Sequence, residues 1–128
     1  MESRSVDIYF ENHLSDELLL EMDSLSLPAG KWDTYPPSSI QPKKNAYGPG
    51  KGYWKTGSHG LMVGTRGSCS YKFNDSNSGK TSSVNISWDD PYAGANAYSI
   101  TTDSDNINVS YSGGQGDNAT VTFKAENK

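Results

Sequence analysis

The stretch Ser68-Cys-Ser-Tyr-Lys-Phe-Asn-Asp-Ser-Asn-Ser-Gly-Lys-Thr-Ser-Ser-Val-Asn-Ile-Ser-Trp88 decides the fold. From Ser68 to Phe73 the side chains of Cys69, Tyr71 and Phe73 fall on one face, and from Thr81 to Trp88 those of Val84, Ile86 and Trp88 do the same. Successive side chains of an extended chain point to opposite sides, so a period of two marks a half-buried strand. Between the two runs, Asn74-Asp-Ser-Asn-Ser-Gly79 concentrates residues that form turns and tolerate left-handed backbone. Two antiparallel strands joined by a turn follow.

The same period recurs on both sides. Upstream, Val6, Ile8 and Phe10 alternate with Asp7, Tyr9 and Glu11 as a first strand. After a polar turn over Asn12–Asp16, the alternation of Leu18, Leu20 and Met22 with Leu19, Glu21 and Asp23 favours a strand over a helix, although Glu17–Met22 has good helix formers. That strand is expected to run on until Pro28-Ala29-Gly30 and to pair with the first as a hairpin. Lys31–Tyr35 carries Trp32, and Pro36 to Gly52 reads as a long loop rich in Gly and Pro, with Tyr35, Tyr47, Tyr53 and Trp54 in or beside it. His59–Thr65 alternates weakly around Leu61 and Val63. Downstream of the Asp89–Gly94 loop, short strands are expected around Tyr98–Thr101, Ile107–Tyr111 and Thr120–Lys124, with Tyr98, Ile100, Ile107, Val109, Tyr111, Val121 and Phe123 inward. Short strands separated by turns, with no convincing helix, predict an all-β antiparallel sandwich of two packed sheets, one domain over residues 1–128.

Composition narrows the function. The net charge of -4 lacks the cationic surplus that tracking a nucleic-acid backbone requires. No apolar run reaches the ~20 residues of a membrane span, and the opening MESRSVDIYF lacks a signal-peptide core. The expectation is a chain made in the cytoplasm or an intracellular inclusion, released by lysis or a route other than the general secretory one, and acting outside the cell. Cys69 is the only cysteine, which excludes an intramolecular disulfide and a thiolate metal cluster and suggests a core position.

Chemical motifs are weak. Gly79-Lys80-Thr81 ends like a phosphate-binding loop, but Asn74 stands where the opening glycine belongs and a strand follows instead of a helix. Asp103-Ser-Asp-Asn106 starts like a calcium loop, yet Ile107 takes a ligand position and no glutamate closes it. Asp89 and Asp90 point to opposite sides of an extended chain, poor geometry for an acid and base flanking one bond. His13 and His59 form no two-histidine zinc pattern. No catalytic residue, metal or cofactor is assigned, and the chain is read as a binding protein.

The aromatic residues carry the functional signal. Trp32, Trp54 and Trp88, with Tyr35, Tyr47, Tyr53 and Tyr92, fall at strand ends or in loops, where a sandwich exposes its binding edges. Amphipathic rings suit a membrane interface or the face of a sugar. Trp88, on an alternating strand, also suits a core, whereas Trp54 beside Tyr53 in a Gly-rich segment is harder to explain as packing.

Two segments, Gly60-Leu-Met-Val-Gly-Thr-Arg-Gly67 and Trp88-Asp-Asp-Pro-Tyr-Ala-Gly-Ala-Asn-Ala-Tyr98, resemble the aegerolysins, in particular the small bacterial crystal-protein components of binary insecticidal toxins. The opening strand, the Gly-Lys-Trp at Trp32 and the ending Tyr111-Ser-Gly-Gly-Gln-Gly-Asp-Asn-Ala-Thr-Val-Thr-Phe123 extend the resemblance over nearly the whole chain. It implies a sandwich without enzymatic activity that binds membrane lipids, commonly sphingolipids, can self-associate on the membrane, and works with a larger pore-forming partner protein. By position, Trp32 and the Trp88–Tyr92 loop match aromatic positions associated with lipid contact in that family. A tryptophan that fungal members carry before the first strand has no counterpart here, where Ser5 stands, so the resemblance does not carry their lipid preference over to this chain. The expected contact set is therefore Trp32, Tyr53, Trp54, Trp88, Asp89, Asp90 and Tyr92, with Trp54, Tyr53, Trp32 and Tyr92 forming one aromatic edge. The competing reading is a glycan-binding module.

Overall fold

In a computed structural model, which describes residues 2–45 and 47–128, the chain forms eleven strands and one short 3-10 turn at Met22–Ser24. The strands are β1 Ser5–His13, β2 Leu18–Leu20, β3 Ser26–Ala29, β4 Lys31–Thr34, β5 Ser39–Ile40 and β6 Gly50–Gly57, followed by β7 Thr65–Asp75, β8 Lys80–Asp90, β9 Ala97–Thr102, β10 Ile107–Gly113 and β11 Asn118–Asn127. They make two sheets, β10-β11-β1-β6-β4 and β5-β2-β7-β8-β9, with β3 also pairing to β7. The expected Ser68–Trp88 hairpin is β7–β8, in unbroken register from Thr65↔Asp90 to Asp75↔Lys80.

The sheets face each other across one apolar layer. Val6, Ile8, Phe10, Trp54, Val121 and Phe123 enter from the first sheet, and Leu18, Tyr71, Phe73, Val84, Ile86 and Trp88 from the second; Cys69 is buried among them. Pairing is antiparallel throughout except between β1 and β11, which run parallel from Ser5↔Asn118 to His13↔Glu126. β11 lies between β10 and β1, so the first and last strands of the chain are neighbours inside one sheet.

Five local expectations are corrected. β2 does not pair with β1 as a hairpin but crosses to the second sheet, between β5 and β7. The Asn12 amide directs that crossing, donating to the Asp16 and Gln41 carbonyls at 3.0 Å while its oxygen accepts the Leu14 amide at 3.0 Å. Leu14 thereby tucks into the core between the sheets. The alternation through Met22 ends in the 3-10 turn, where Ser24 bonds across to the Ser70 amide at 2.8 Å and leaves Met22 exposed.

The segment around Leu61 and Val63 is a loop and not a strand. Gly60 and Met62 take positive φ, 112° and 59°, which destroys the period of two. Conversely, the presumed long loop contains β5 and ends where β6 begins, so Trp54 lies on a strand. Tyr111 also departs from its inward assignment: its ring is half exposed, 5.7 Å from that of Tyr98 and 6.0 Å from that of Phe123.

Candidate functional site

The expected aromatic edge is not assembled, because its members sit on different faces. Trp54, on β6 opposite Ile8 of β1, is wholly buried, with its ring 6.0 Å from Trp88 and 6.2 Å from Tyr71. Trp88 is buried too, and its indole nitrogen donates to Thr56 Oγ1 at 3.0 Å; Thr65 donates to the same oxygen at 2.8 Å. Both tryptophans are core residues. Trp32 is half-buried on the edge strand β4, with its ring 5.9 Å from Trp88 and stacked 5.4 Å from Tyr35. Tyr53 points away from the core on the outer face of the first sheet, donating to Asp7 Oδ1 at 2.5 Å beside the Tyr9 ring at 5.0 Å. Burial, and then the Asp7 carboxylate, push its hydroxyl well above the ordinary tyrosine range. Only Tyr92 stands at a loop end of the sandwich.

That end gathers a different set. The loop 58–64, between β6 and β7, and the loop 91–96, between β8 and β9, emerge side by side because Thr65 and Asp90 are register partners. Leu61 is 88% exposed, Met62 64%, Val63 37% and Tyr92 40%. Glycines permit the approach. A Cβ on Gly64 would lie 2.3 Å from the Asp90 carbonyl oxygen and 2.7 Å from Pro91 Cα, so only glycine lets the two backbones touch. On Gly114 it would strike the Tyr98 ring at 2.2 Å.

Arg4 ties this end together. Its guanidinium donates to the carbonyls of Pro91 at 3.3 Å and Tyr92 at 2.6 Å, and its Nε stands 3.5 Å from Asp117. The same group lies 4.7 Å over the Tyr92 ring, a cation–π contact that fixes the ring's orientation. The third loop, 114–117, is fastened by Asn96, which donates to the Gly114 and Gly116 carbonyls at 2.8 Å, and by the Tyr98 hydroxyl, which donates to Gly114 at 2.7 Å. A cleft of about 680 Å³ runs beside Glu2, Lys31, His59, Leu61, Met62 and Tyr92. Lys31 pairs with Glu2 at 2.7 Å and with Asp33.

Asp89 and Asp90 part company, as neighbours on a strand must. Asp89 lies on the outer face of the second sheet, while Asp90 turns inward, is 1% exposed, and has neither carboxylate oxygen hydrogen-bonded. The Ser5 amide lies close enough to favour its charge but donates its bond to the Asp117 carbonyl. Burial pushes the Asp90 carboxyl up to about 6, against the opposing pull of Arg4 and with Asp117 adding to the rise. No cluster of three or more His, Cys, Asp or Glu side chains able to hold a metal occurs among the described residues. Nor is any helix among them long and apolar enough to cross a membrane.

Sequence reasoning placed Tyr92 at this end but missed Leu61, Met62, Val63 and Arg4. The signal was available for the first three: large apolar residues bracketed by Gly60 and Gly64 form a run too short and too glycine-bound for a strand. Arg4 left no local signal, since its partners lie 87 and 88 positions away.

Comparison with known proteins places this geometry. No curated protein matches the sequence. The structure of the RahU protein in complex with a TRIS molecule is similar, with a TM-score of 0.69 at 20% identity over 100% of this chain and 98% of that one. The lipid binding protein Nakanori superimposes with a TM-score of 0.75 at 10% identity, over 97% of this chain and 71% of that one. At such identities the likeness is one of fold. The aegerolysin family model matches residues 3–127. With every described strand inside that match, the chain belongs to the aegerolysin family.

Proposed function

We propose that this protein binds target-cell membranes through the loop end that carries Leu61, Met62, Val63 and Tyr92, and that it serves as the recognition component of a pore-forming toxin pair. One observation carries the reading: four large apolar or amphipathic side chains stand exposed together on loops that glycines and Arg4 hold in place. Exposed contiguous apolar side chains mark an interaction surface. A tyrosine ring with a polar tip suits the headgroup layer. Family membership and the lipid-binding character of Nakanori support the same direction.

The remaining expected contacts divide. Tyr92 stays in the proposed surface, Trp32 lies half-buried on β4 against Tyr35 and Trp88, and Trp54, Trp88 and Asp90 are buried. Strand character supports the proposal of a larger partner. A barrel strand that crosses a bilayer shows lipid an apolar face about nine to eleven residues long. The longest strands, β7 and β8, turn their apolar faces inward and present Arg66, Lys72 and Asp89 outward. Sphingolipid-containing membranes are the proposed target, and self-association after docking is part of the proposal.

The test is cosedimentation with vesicles of phosphatidylcholine alone, of phosphatidylcholine with sphingomyelin and cholesterol, and of phosphatidylcholine with ceramide phosphoethanolamine, with dye release followed in the same samples. Binding to a sphingolipid mixture without leakage is expected. The double substitution Leu61→Ser and Met62→Ser should weaken that binding on the order of tenfold or more, since about 1.5–3 kcal/mol accompanies full burial of each such side chain. Its thermal midpoint should stay unchanged because both side chains are exposed. Leakage by the protein alone would overturn the partner, and undiminished binding by the folded double variant would overturn the loop assignment.

A further inference from the structure

The outer face of the second sheet contains a groove of about 330 Å³ lined by Pro28, Arg66, Ser68, Ser87, Asp89 and Ser99. It lies over two adjacent rows of the β7–β8–β9 ladder. Arg66 faces Asp89 in one row, and Ser68, Ser87 and Ser99 face one another in the next. Pro28, on β3 alongside β7, bounds it.

The unspent bonding capacity of these side chains is the informative feature. Arg66 and Asp89 are opposite charges in direct register, yet no ion pair joins them among the described residues, and neither side chain makes a hydrogen bond. The hydroxyls of Ser68, Ser87 and Ser99 are likewise without partners among the described residues. The next row is different: Ser70 bonds Asn85 at 2.7 Å and Asn85 reaches Thr101 at 3.5 Å. The rows under the groove thus bring together a guanidinium, a carboxylate and hydroxyls that are all uncommitted among the described residues.

We propose that this groove is a binding site for a single sugar ring, presented by a glycosylated lipid whose acyl chains lie in the membrane beneath the loop end. The assignment of a lipid-borne sugar rests on the membrane reading above. The ligand class follows from charge and bonding. A bare anion would meet Asp89 and a bare cation would meet Arg66, whereas a neutral polyol presents each hydroxyl as both donor and acceptor. Arg66 can then only donate, Asp89 only accept, and each serine do either. The volume is at the small end of the ~300–1,000 Å³ range of small-molecule sites, which suits one ring and not a chain. Position fits as well. Arg66 follows the first residue of β7 and Asp89 precedes the last residue of β8, so the groove opens next to the proposed docking loops. The serine row lies only two residues further along, about 7 Å at the usual strand rise.

The experiment uses the whole protein with phosphatidylcholine vesicles containing either ceramide or glucosylceramide, and separately records amide NMR shifts on titration with methyl β-glucoside, methyl β-galactoside and phosphocholine. Glucosylceramide or its galactosyl counterpart should strengthen vesicle binding on the order of tenfold over ceramide, and the matching methyl glycoside should shift amides of residues 66–68, 87–89 and 97–99. Arg66→Ala, and separately Ser87→Leu to fill the groove, should remove the gain while leaving binding to sugar-free vesicles as it was. Asp89→Ala should also remove the gain. Equal binding to all vesicles with no glycoside-induced shift overturns the sugar site and leaves the membrane reading intact. Shifts with phosphocholine instead of either glycoside overturn it too. Glycoside shifts without any vesicle binding support the site and overturn the membrane reading.

Discussion

Trp54 and Asp90 show how far a residue's role depends on which side of its strand it occupies. The Gly-rich segment around Trp54 predicts a loop aromatic facing a ligand, but the ring packs against Trp88 and Tyr71 at the centre of the molecule. Trp54→Ala should therefore cost about 3–5 kcal/mol in chemical denaturation, the usual consequence of emptying a large aromatic site. An exposed lipid contact would cost almost nothing. Asp90 makes a second, pH-dependent prediction. Its carboxyl titrates near 6 in the folded protein, above the ordinary value of 3.8. A group whose folded value is raised favours folding fully below its unfolded value, and that contribution disappears as pH rises through its folded value. Between about pH 4 and 6, wild type should thus lose stability relative to Asp90→Asn, and the variant should be the more stable at pH 7.5. Urea unfolding of both at pH 4, 5, 6 and 7.5 measures it; a constant difference would contradict the burial argument. The comparison has to be between the two proteins, because Asp75, held low by bonds from Asn106, Asn77 and Ser104, moves wild-type stability in the opposite sense as pH falls.

At the level of elements, legibility tracked the period of two. The β7–β8 hairpin could be read from its sequence because both strands bury one face and a turn cluster joins them, and local chemistry alone specifies that arrangement. Tyr92 was legible as a loop residue for the same reason: Pro91 and Gly94 punctuate the chain beside it. The crossing of β2 to the opposite sheet was not legible, since it depends on Asn12 reaching the Ile40–Gln41 carbonyls on a distant segment. Nor was the loop 60–64, where alternating Leu61 and Val63 imitate a strand while Met62 takes a left-handed conformation. Gly64 is the element's critical residue. Gly64→Ala should drive its Cβ into the backbone at Asp90–Tyr92, displace the Arg4-held loop and destabilise the fold by about 1–3 kcal/mol. Vesicle binding should fall with it, even under conditions where circular dichroism shows the variant folded. Retention of both stability and binding would mean that the two loops need not touch.

Across the whole molecule, most pairings join distant parts of the sequence, as β1 with β11 and β2 with β7 do. Two-state domains dominated by such contacts fold in milliseconds to seconds, so refolding by stopped-flow fluorescence of the buried tryptophans should fall in that range and not in microseconds. Removing residues 118–127 should abolish cooperative unfolding altogether, because β10 loses its strand partner and β1 loses one of its two. The parallel seam between β1 and β11 also bears on biosynthesis. A nascent chain carries β1 out of the ribosome long before β11, and the place beside it stays vacant until residue 127 has emerged. During translation the edges of β1 and β10 are therefore open to pairing with neighbouring chains on the same messenger. Crowded synthesis should favour aggregates and inclusions over folded monomer, and slowing translation within the chain would do little to prevent it.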